Sequence, residues 1–454
     1  MKKQSRERAL TRALGTAALT CLLMSAQAIA APHIRIGGMV RAGGGSAPTD
    51  AECRAAGFGP CYSPQEIRTA YGLNKLIDAG MVGSGQTIVL IESYGSPTAL
   101  ADLKIFDKDY GLPDPPSLKV LAPLGTVPFD PNDSTQVGWA AETSLDVQWA
   151  HAIAPGAAIV VLTSPVAETE GVQGLPEFLA LEQYALDHHL GKIISQSWSA
   201  TENTLFDAAG RKVLDDFSDF YSHARRKHVT VLASAGDSGS SNVGPDSVTV
   251  YPFPTVGFPA SSPLVTAVGG TSLYTDTAGH YKLETVWDEV AAGGGAGGGG
   301  ISQVFREPEY QRESLPDSMQ DQLHGKRGLP DISYNADPYT PILIYVGFLG
   351  SASAGYYSAG GTSEGSPQWA GIVADLNQYA GRPLGFLNRA LYAIGGSGQF
   401  KQIGRDIKVG NNGYNGVPGY AAGAGWDLAT GWGTPDLDKI LSRELDLLDP
   451  SEDD

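Results

Sequence analysis

The chain has 454 residues, of which 42% are hydrophobic and 18% are charged, and it contains 58 Gly and 29 Pro. This composition is typical of a globular protein with many turns, and the length allows a large core. The formal net charge of −18 argues against a nucleic-acid partner, because binding to a phosphate backbone needs clustered Lys and Arg.

Residues 1–30 have the layout of a secretory signal peptide. Basic residues come first, an apolar stretch follows at 13–24, and small residues end the segment at 28–30. The apolar stretch is shorter than the roughly 20 residues that a spanning helix needs. We therefore expect a secreted protein, extracellular or periplasmic, with no membrane contact after signal removal. The alternative interpretation is an N-terminal membrane anchor.

The rest of the chain divides into three predicted parts. Residues 31–63 are Gly-rich and are predicted to form an irregular lead-in, which contains Cys53 and Cys61. In an oxidising compartment these two cysteines most simply form one disulfide. Residues 64–446 are predicted to form a single large domain, and residues 447–454 a solvated acidic tail.

Short β-branched runs alternate with helical stretches along the domain. Strands are predicted at 87–91, 159–162, 193–197 and 229–233, and their continuous apolar character is typical of strands buried on both faces. A helix is predicted at 176–189, where Pro176 lies in the first turn. This alternation predicts an α/β fold with a parallel sheet covered by helices on both faces.

Two serines are candidate nucleophiles. Ser238 lies in a Gly-Asp-Ser-Gly string that is similar to that of trypsin-like proteases, but those have a catalytic His early in the chain. Ser363 follows Gly-Gly-Thr at 360–362 and precedes a predicted helix at 368–379. Its hydroxyl would lie at a helix N-terminus, where backbone N–H groups favour negative charge. A plain helix N-cap is the alternative interpretation of Ser363.

The candidate base is an acidic pair on a predicted helix at 139–153. Glu142 and Asp146 are four residues apart and share one helix face, where like charges repel. That face is otherwise apolar and includes Trp139 and Trp149. Two carboxylates on an apolar stripe favour a functional site, and the alternative is an exposed helix face. None of the eight histidines lies in the His-Gly-Thr setting of subtilisins, so a histidine base is doubtful.

Three motifs in this order resemble those of the sedolisin family, the serine-carboxyl peptidases. They are Ala-Glu-Thr-Ser-Leu-Asp at 141–146, Ser-Ala-Gly-Asp at 234–237, and Gly-Thr-Ser at 361–363 followed by Pro367. The resemblance extends over about residues 64–445. It implies a subtilisin-like parallel sheet in a single catalytic domain, and hydrolysis of protein or peptide substrates.

The resemblance also implies a role for each motif. Ser363 would be the nucleophile that forms an acyl-enzyme, Glu142 the general base and acid, and Asp146 the group that orients Glu142. Asp237 would hydrogen-bond the oxyanion, which a carboxyl group can do only when it is protonated. A Glu base and a protonated Asp both predict an acidic pH optimum.

Two auxiliary residues follow from the same resemblance. Glu92 at the end of the strand at 87–91 matches a carboxylate that relays protons in some members, and the alternative is a surface Glu. Trp198 matches a position that lines the substrate cleft in some members, and the alternative is core packing.

The resemblance further implies one structural Ca²⁺ ion near the C-terminus. Calcium takes about six or more oxygen ligands, which Asp side chains and Gly-rich backbone can supply. The family pattern falls on the following residues: Asp406, Ile407 through its carbonyl, Gly423, Gly425 and Asp427.

The chain departs from the family pattern in three places, one of which is Gly360, where many members have Ser. Many members carry a long propeptide, whereas here the lead-in at 31–63 is short, which leaves open how activity is controlled. Glu364, directly after the nucleophile, stands where many members have Ala. It adds a carboxyl group beside the site that is expected to shift its pH dependence.

The sequence thus predicts a secreted, acid-acting, monomeric serine endopeptidase, with a tripeptidyl-peptidase as a variant within the same class. One alternative is a catalytically inactive binding protein on the same scaffold. Another is subtilisin-like catalysis by a histidine, for which His151 is nearest to the acidic pair in the sequence.

Overall fold

The computed structural model describes residues 35–40, 46–57, 59–292 and 294–439. The predicted signal at 1–30 and the acidic tail at 447–454 lie outside these ranges. The strands are β1 Arg35–Val40, β2 Thr87–Ser93, β3 Leu118–Leu121, β4 Ala158–Ser164, β5 Ile193–Gln196, β6 Ala200–Thr201, β7 Thr230–Ser234, β8 Gly257–Phe258, β9 Thr266–Thr275, β10 Tyr281–Val286, β11 Gly300–Arg306, β12 Lys326–Leu329, β13 Ile332–Asn335, β14 Ile342–Val346, β15 Gly355–Gly360, β16 Gly404–Arg405 and β17 Thr434–Pro435.

The α-helices are α1 Asp50–Ala56, α2 Pro64–Ala70, α3 Asn74–Asp78, α4 Ala99–Tyr110, α5 Ser134–Ile153, α6 Leu175–Asp187, α7 Ala208–Arg226, α8 Glu309–Ser314, α9 Asp317–Leu323, α10 Gly365–Ala380 and α11 Asn388–Gly396. Among the described residues, no helix combines the length and the apolar character that crossing a bilayer requires.

An eight-stranded sheet forms the centre of the molecule, in the order β10-β9-β7-β5-β2-β4-β3, with β13 beside β9. All the pairs between β3 and β9 are parallel, as is the pair of β13 with β9, and β10 is antiparallel to β9. The four strands predicted from apolar runs are β2, β4, β5 and β7, which lie side by side in this sheet. The prediction of a parallel sheet is therefore confirmed.

Helices cover both faces of the sheet, as the alternation of elements predicts. Helices α5 and α10 pack against one face, and α6 and α7 pack against the other. Every residue of α5 from Trp139 to Ile153 is buried, so this helix is surrounded by protein on all sides. Helices α5 and α10 approach closely at Gly371, where an added Cβ would lie 2.7 Å from Cβ of Ile153.

The lead-in at 31–63 is more ordered than predicted, and the expectation of an irregular segment was wrong for its described part. Strand β1 pairs antiparallel with β15, and α1 begins with a capping box in which Thr49 and Glu52 bond reciprocally. Such a box satisfies helix N–H groups and favours helix initiation. The predicted disulfide between Cys53 and Cys61 is present.

Described residues near the two ends of the predicted domain are in contact. The N–H of Leu437 donates a 2.9 Å hydrogen bond to the carbonyl of Tyr71, just after α2. Lys75 and Asp438 form an ion pair at 3.4 Å beside this contact.

Candidate active site

The candidate site lies at the carboxyl ends of the parallel strands. Glu92 is near the end of β2, Ser197 directly follows β5, and Asp237 comes shortly after β7. The carboxyl ends of parallel strands open at one edge of a sheet, where α/β proteins place their ligands. Ser363 and the carboxyl groups of α5 reach the site from the face of the sheet against which α5 and α10 pack.

The candidate nucleophile lies in a short turn between β15 and α10. Ser363 is the middle residue of a single 3₁₀ turn, Thr362–Glu364. Gly361 opens the turn with φ of 110° and donates its N–H to the carbonyl of Ala336 at 2.6 Å. The Ser363 hydroxyl is buried and has no hydrogen-bond partner among the described residues. The alternative that Ser363 caps α10 is therefore wrong.

Three carboxyl groups are buried together beside the sheet. Glu142 and Asp146 are fully buried on α5, so the alternative of an exposed helix face is wrong. Glu92 is also fully buried, and burial is the main reason why its pKa is raised well above the usual range. The charges of Asp146 and Glu142 raise this pKa further, so the three carboxyl groups lie close together. Burial likewise raises the pKa of Asp146, against the opposing effect of hydrogen bonds from Ser197 and Glu92.

Asp237 is hydrogen-bonded to the residue that precedes the nucleophile. Its Oδ1 accepts the backbone N–H of Thr362 at 2.8 Å and the hydroxyl of the same residue at 2.9 Å. The N–H of Gly236 in turn donates to that hydroxyl oxygen at 3.0 Å. These bonds bring the loop after β7 against the turn that carries Ser363.

Ser197 connects the carboxyl cluster to the nucleophile, and sequence reasoning missed it. Its hydroxyl lies 3.0 Å from each oxygen of Asp146 and 3.5 Å from the backbone carbonyl of Ser363. The available signal was its place at the end of a predicted strand. The resemblance indicates the neighbouring Trp198 instead.

Trp198 packs in an aromatic core on the other side of the sheet. Its ring is fully buried and lies 4.8 Å from the ring of Phe178 and 6.1 Å from that of Phe217, between centroids. These contacts favour the core-packing interpretation. Glu92, by contrast, faces the carboxyl cluster, so the interpretation of a surface Glu is wrong.

The structure places the competing candidates away from this arrangement. Nε2 of His151 lies 2.8 Å from the carbonyl of Pro113 and 3.2 Å from Oδ1 of Asp107, on the side of α5 that faces α4. The histidine-base alternative therefore fails for His151. Ser238 is part of a bridge with Ala296, and no hydrogen bond in the described part of the chain joins it to Glu92 or Asp146.

The residues predicted to bind calcium form one hydrogen-bonded loop cluster. Asp406 Oδ2 accepts the N–H of Gly425 at 3.0 Å, and Asp427 Oδ2 accepts the N–H of Gly423 at 2.8 Å. Asp406 Oδ1 is buried and has no hydrogen-bond partner among the described residues. An unpartnered carboxylate oxygen within a Gly-rich loop fits a hard cation such as Ca²⁺. The described residues contain no group of three or more His, Cys, Asp or Glu side chains able to hold a metal.

The chain is similar to several known peptidases. Kumamolisin from Bacillus sp. (strain MN-32) is 34% identical over 422 residues, which cover 92% of this chain and 68% of kumamolisin. Sedolisin from Pseudomonas sp. (strain 101) is 33% identical over 398 residues, 86% of this chain and 62% of sedolisin. Human tripeptidyl-peptidase 1 is 30% identical over 325 residues, 67% of this chain and 52% of that protein.

A solved structure matches as well. Pseudomonas sedolisin, complexed with two molecules of pseudo-iodotyrostatin, has a TM-score of 0.67 and 31% identity, covering 84% of this chain and 97% of that structure. No family model matches the chain. The fold is the subtilisin-like fold of the serine-carboxyl peptidases. The chain belongs to the sedolisin family of serine-carboxyl peptidases, and it spans between about half and about two thirds of the curated relatives named above.

Proposed function

We propose that the protein is a secreted, acid-acting serine peptidase that hydrolyses peptide bonds through an acyl-enzyme on Ser363. One observation carries this proposal: Ser363 is buried in a turn that hydrogen bonds tie to Asp237 on one side and, through Ser197, to Asp146 on the other. The predicted signal at 1–30 supports secretion, and the peptidase domain is proposed to extend over 64–446.

The acylation step uses these groups in turn. The Ser363 hydroxyl oxygen attacks the scissile carbonyl carbon while Glu142 accepts the hydroxyl proton. Asp146, held by Ser197, orients Glu142. Asp237 in its protonated form donates to the oxyanion of the tetrahedral intermediate. Glu142 then returns the proton to the leaving amine, the C–N bond breaks, and the acyl-enzyme remains.

Deacylation reverses the same transfers with water as the nucleophile. Glu142 takes a proton from the attacking water, and the ester bond to Ser363 breaks with return of that proton to the serine oxygen. Because both steps need a Glu that can accept a proton and an Asp that can donate a hydrogen bond, activity is proposed to be confined to acidic solution.

The test is hydrolysis of an unfolded protein from about pH 2.5 to about pH 8. We expect activity at acid pH only, and a loss of about 10⁴-fold or more in Ser363→Ala and Glu142→Gln. Full activity of either variant would overturn the proposal. An inactive but folded wild type would favour a binding protein on the same scaffold.

The preferred cleavage mode is proposed to be endopeptidase. Some relatives are named tripeptidyl-peptidases, so release of tripeptides from a free N-terminus is the competing mode. Mapping the fragments of a protein substrate distinguishes them, because an endopeptidase also cleaves a substrate with a blocked N-terminus. Cleavage that depends on a free N-terminus would assign the tripeptidyl mode.

A structural calcium ion is proposed at the loop cluster formed by Asp406, the carbonyl of Ile407, Gly423, Gly425 and Asp427. Bound there, it would hold the loop and supply no chemistry to the reaction. We expect a chelator to lower the melting temperature, and added Ca²⁺ but not Mg²⁺ to restore it. Asp427→Asn should remove this calcium dependence. A melting temperature that is indifferent to chelator and calcium would contradict the site.

A further inference from the structure

A buried carboxyl group follows the nucleophile directly and has no part in the mechanism above. Glu364 is fully buried at the end of the turn that carries Ser363. Its Oε1 accepts a hydrogen bond from Nδ2 of Asn335 at 2.9 Å and a longer one from Nε2 of Gln368 at 3.4 Å. Its Oε2 is buried with no hydrogen-bond partner among the described residues.

The side chain of Asn335 is held rigidly by other contacts. Its Oδ1 accepts the backbone N–H of Leu273 at 3.0 Å and the hydroxyl of Thr340 at 3.0 Å. Since a backbone N–H can only donate, the amide orientation is fixed and Nδ2 is the group that faces Glu364. Glu364 therefore ties the nucleophile turn to a rigid point at the end of β13.

This arrangement suits a neutral carboxyl group better than a carboxylate. One oxygen of Glu364 has donors and the other has none, so an anion would lose its hydration without replacement. Burial accordingly raises the pKa of Glu364 well above its usual range, although the hydrogen bonds from Asn335 and Gln368 oppose the rise. In the described part of the chain, no Lys, Arg or His forms an ion pair with Glu364.

The titratable groups around Glu364 are one carboxyl group, which disfavours its charge, and two phenols, which stay neutral. Asp337, shortly after β13, raises its pKa further. The phenols of Tyr71 and Tyr334 are buried beside it, and the charge of Glu364 raises their pKa in turn.

We propose that Glu364 is a positioning residue whose ionisation lowers the upper pH limit of the peptidase below the limit that Asp237 alone would set. When neutral, it holds the Ser363 turn against Asn335. When ionised, it weakens this hold and places a negative charge beside the position where the oxyanion forms, which opposes catalysis. The inference rests on the proposed function, and it explains why this position carries a group that titrates.

The experiment compares kcat as a function of pH for the full-length wild type, Glu364→Gln and Glu364→Ala. Gln has the shape of Glu and cannot ionise, so we expect its alkaline midpoint to lie about one pH unit or more above that of the wild type. Ala loses both the charge and the hydrogen bond, so its midpoint should also rise while its kcat falls about tenfold. An active Glu364→Gln with an unchanged midpoint would overturn the proposal.

Glu182→Gln is the matched control. Glu182 on α6 is also a fully buried Glu. Neither of its carboxyl oxygens has a hydrogen-bond partner among the described residues, and α6 packs on the opposite face of the sheet. Its substitution should leave the kcat midpoint in place. An equal shift in this variant would show a general effect of buried charge and would also overturn the proposal. Retained activity in Ser363→Ala, by contrast, would refute the proposed function itself.

Discussion

At the scale of single residues, the site is governed by the crowding of Glu92, Glu142 and Asp146 in one buried cluster. Carboxylates this close cannot all ionise in a low dielectric, so the cluster retains at least one proton across much of the pH range. In the proposed mechanism, a proton retained within the cluster allows Glu142 to act first as base and then as acid. Ser197 fixes the geometry of this exchange through its bonds to Asp146.

Ser197→Ala should reduce kcat by about tenfold, because Asp146 loses a fixed hydroxyl donor and with it part of its orientation. The Ser197 hydroxyl lowers the pKa of Asp146, so its removal should raise the pKa of the cluster and move the acidic limb of the kcat profile upward. The measurement is kcat and KM across pH. Ser197→Thr, which keeps a hydroxyl, should recover most of the activity, and equal losses in both variants would contradict this role.

The residues of the site could be predicted from the sequence to the extent that their signal is local. Glu142 and Asp146 share one helical face, and Ser363 follows a Gly-rich turn, so a single stretch of chain reveals each. The bonds of Ser197 to Asp146 and of Asp237 to Thr362 join segments far apart in the chain. No local pattern indicates such contacts, which only the fold brings about.

At the scale of elements, the proposed catalysis depends on the distance between α5 and α10. Helix α5 carries Glu142 and Asp146, and α10 directly follows the turn that contains Ser363. Gly371 allows this close approach, because any side chain at this position would collide with Ile153 and with the carbonyl of Ala150. Close approach of two helix backbones is a common reason for Gly within a helix.

Gly371→Ala should destabilise the protein by roughly 1–3 kcal/mol, because the added methyl group overpacks the contact with Ile153. Intrinsic helix propensity alone predicts the opposite sign, a gain of up to about 1 kcal/mol. Denaturant unfolding distinguishes the two effects, and kcat should fall with the loss of packing as α10 is displaced. A more stable variant would show that the helices have room to separate.

The elements themselves were largely predictable. The strands β2, β4, β5 and β7 are buried on both faces and so appear as apolar runs in the sequence. The described part of the lead-in was mispredicted because its Gly content obscured the capping signal of Thr49 and Glu52. The pairing of β1 with β15 joins residues that are distant in sequence, and the lead-in alone does not indicate it.

At the scale of the whole molecule, buried carboxyl groups make stability depend on pH. Burial raises the pKa of Glu168, Glu182 and Asp375 well above their usual range and that of Glu170 to about 7. Below the usual pKa these groups are neutral in the folded and unfolded chains alike, so folding carries no charge penalty. As pH rises toward the folded pKa, the unfolded chain releases its protons first, and stability falls.

The melting temperature should therefore fall by about 5 °C or more between about pH 4 and about pH 8. Scanning calorimetry across this range measures the effect. Glu182→Gln should reduce this fall in melting temperature, because it removes one buried group whose ionisation in the unfolded chain lowers the stability of the fold. A melting temperature that rises toward neutral pH, or a variant that falls as steeply as the wild type, would contradict this account.

The hydrogen bond between Leu437 and Tyr71 has a consequence for protein engineering. Because Tyr71 and Leu437 bring together residues near the two ends of the proposed domain, a linker between these two points would be short, and new termini could be opened in an exposed loop. Such circular permutants are tolerated when the original ends are close together. The turn that contains Ser363 would lie away from the new termini in the permuted chain. The permuted protein is therefore expected to keep its site intact.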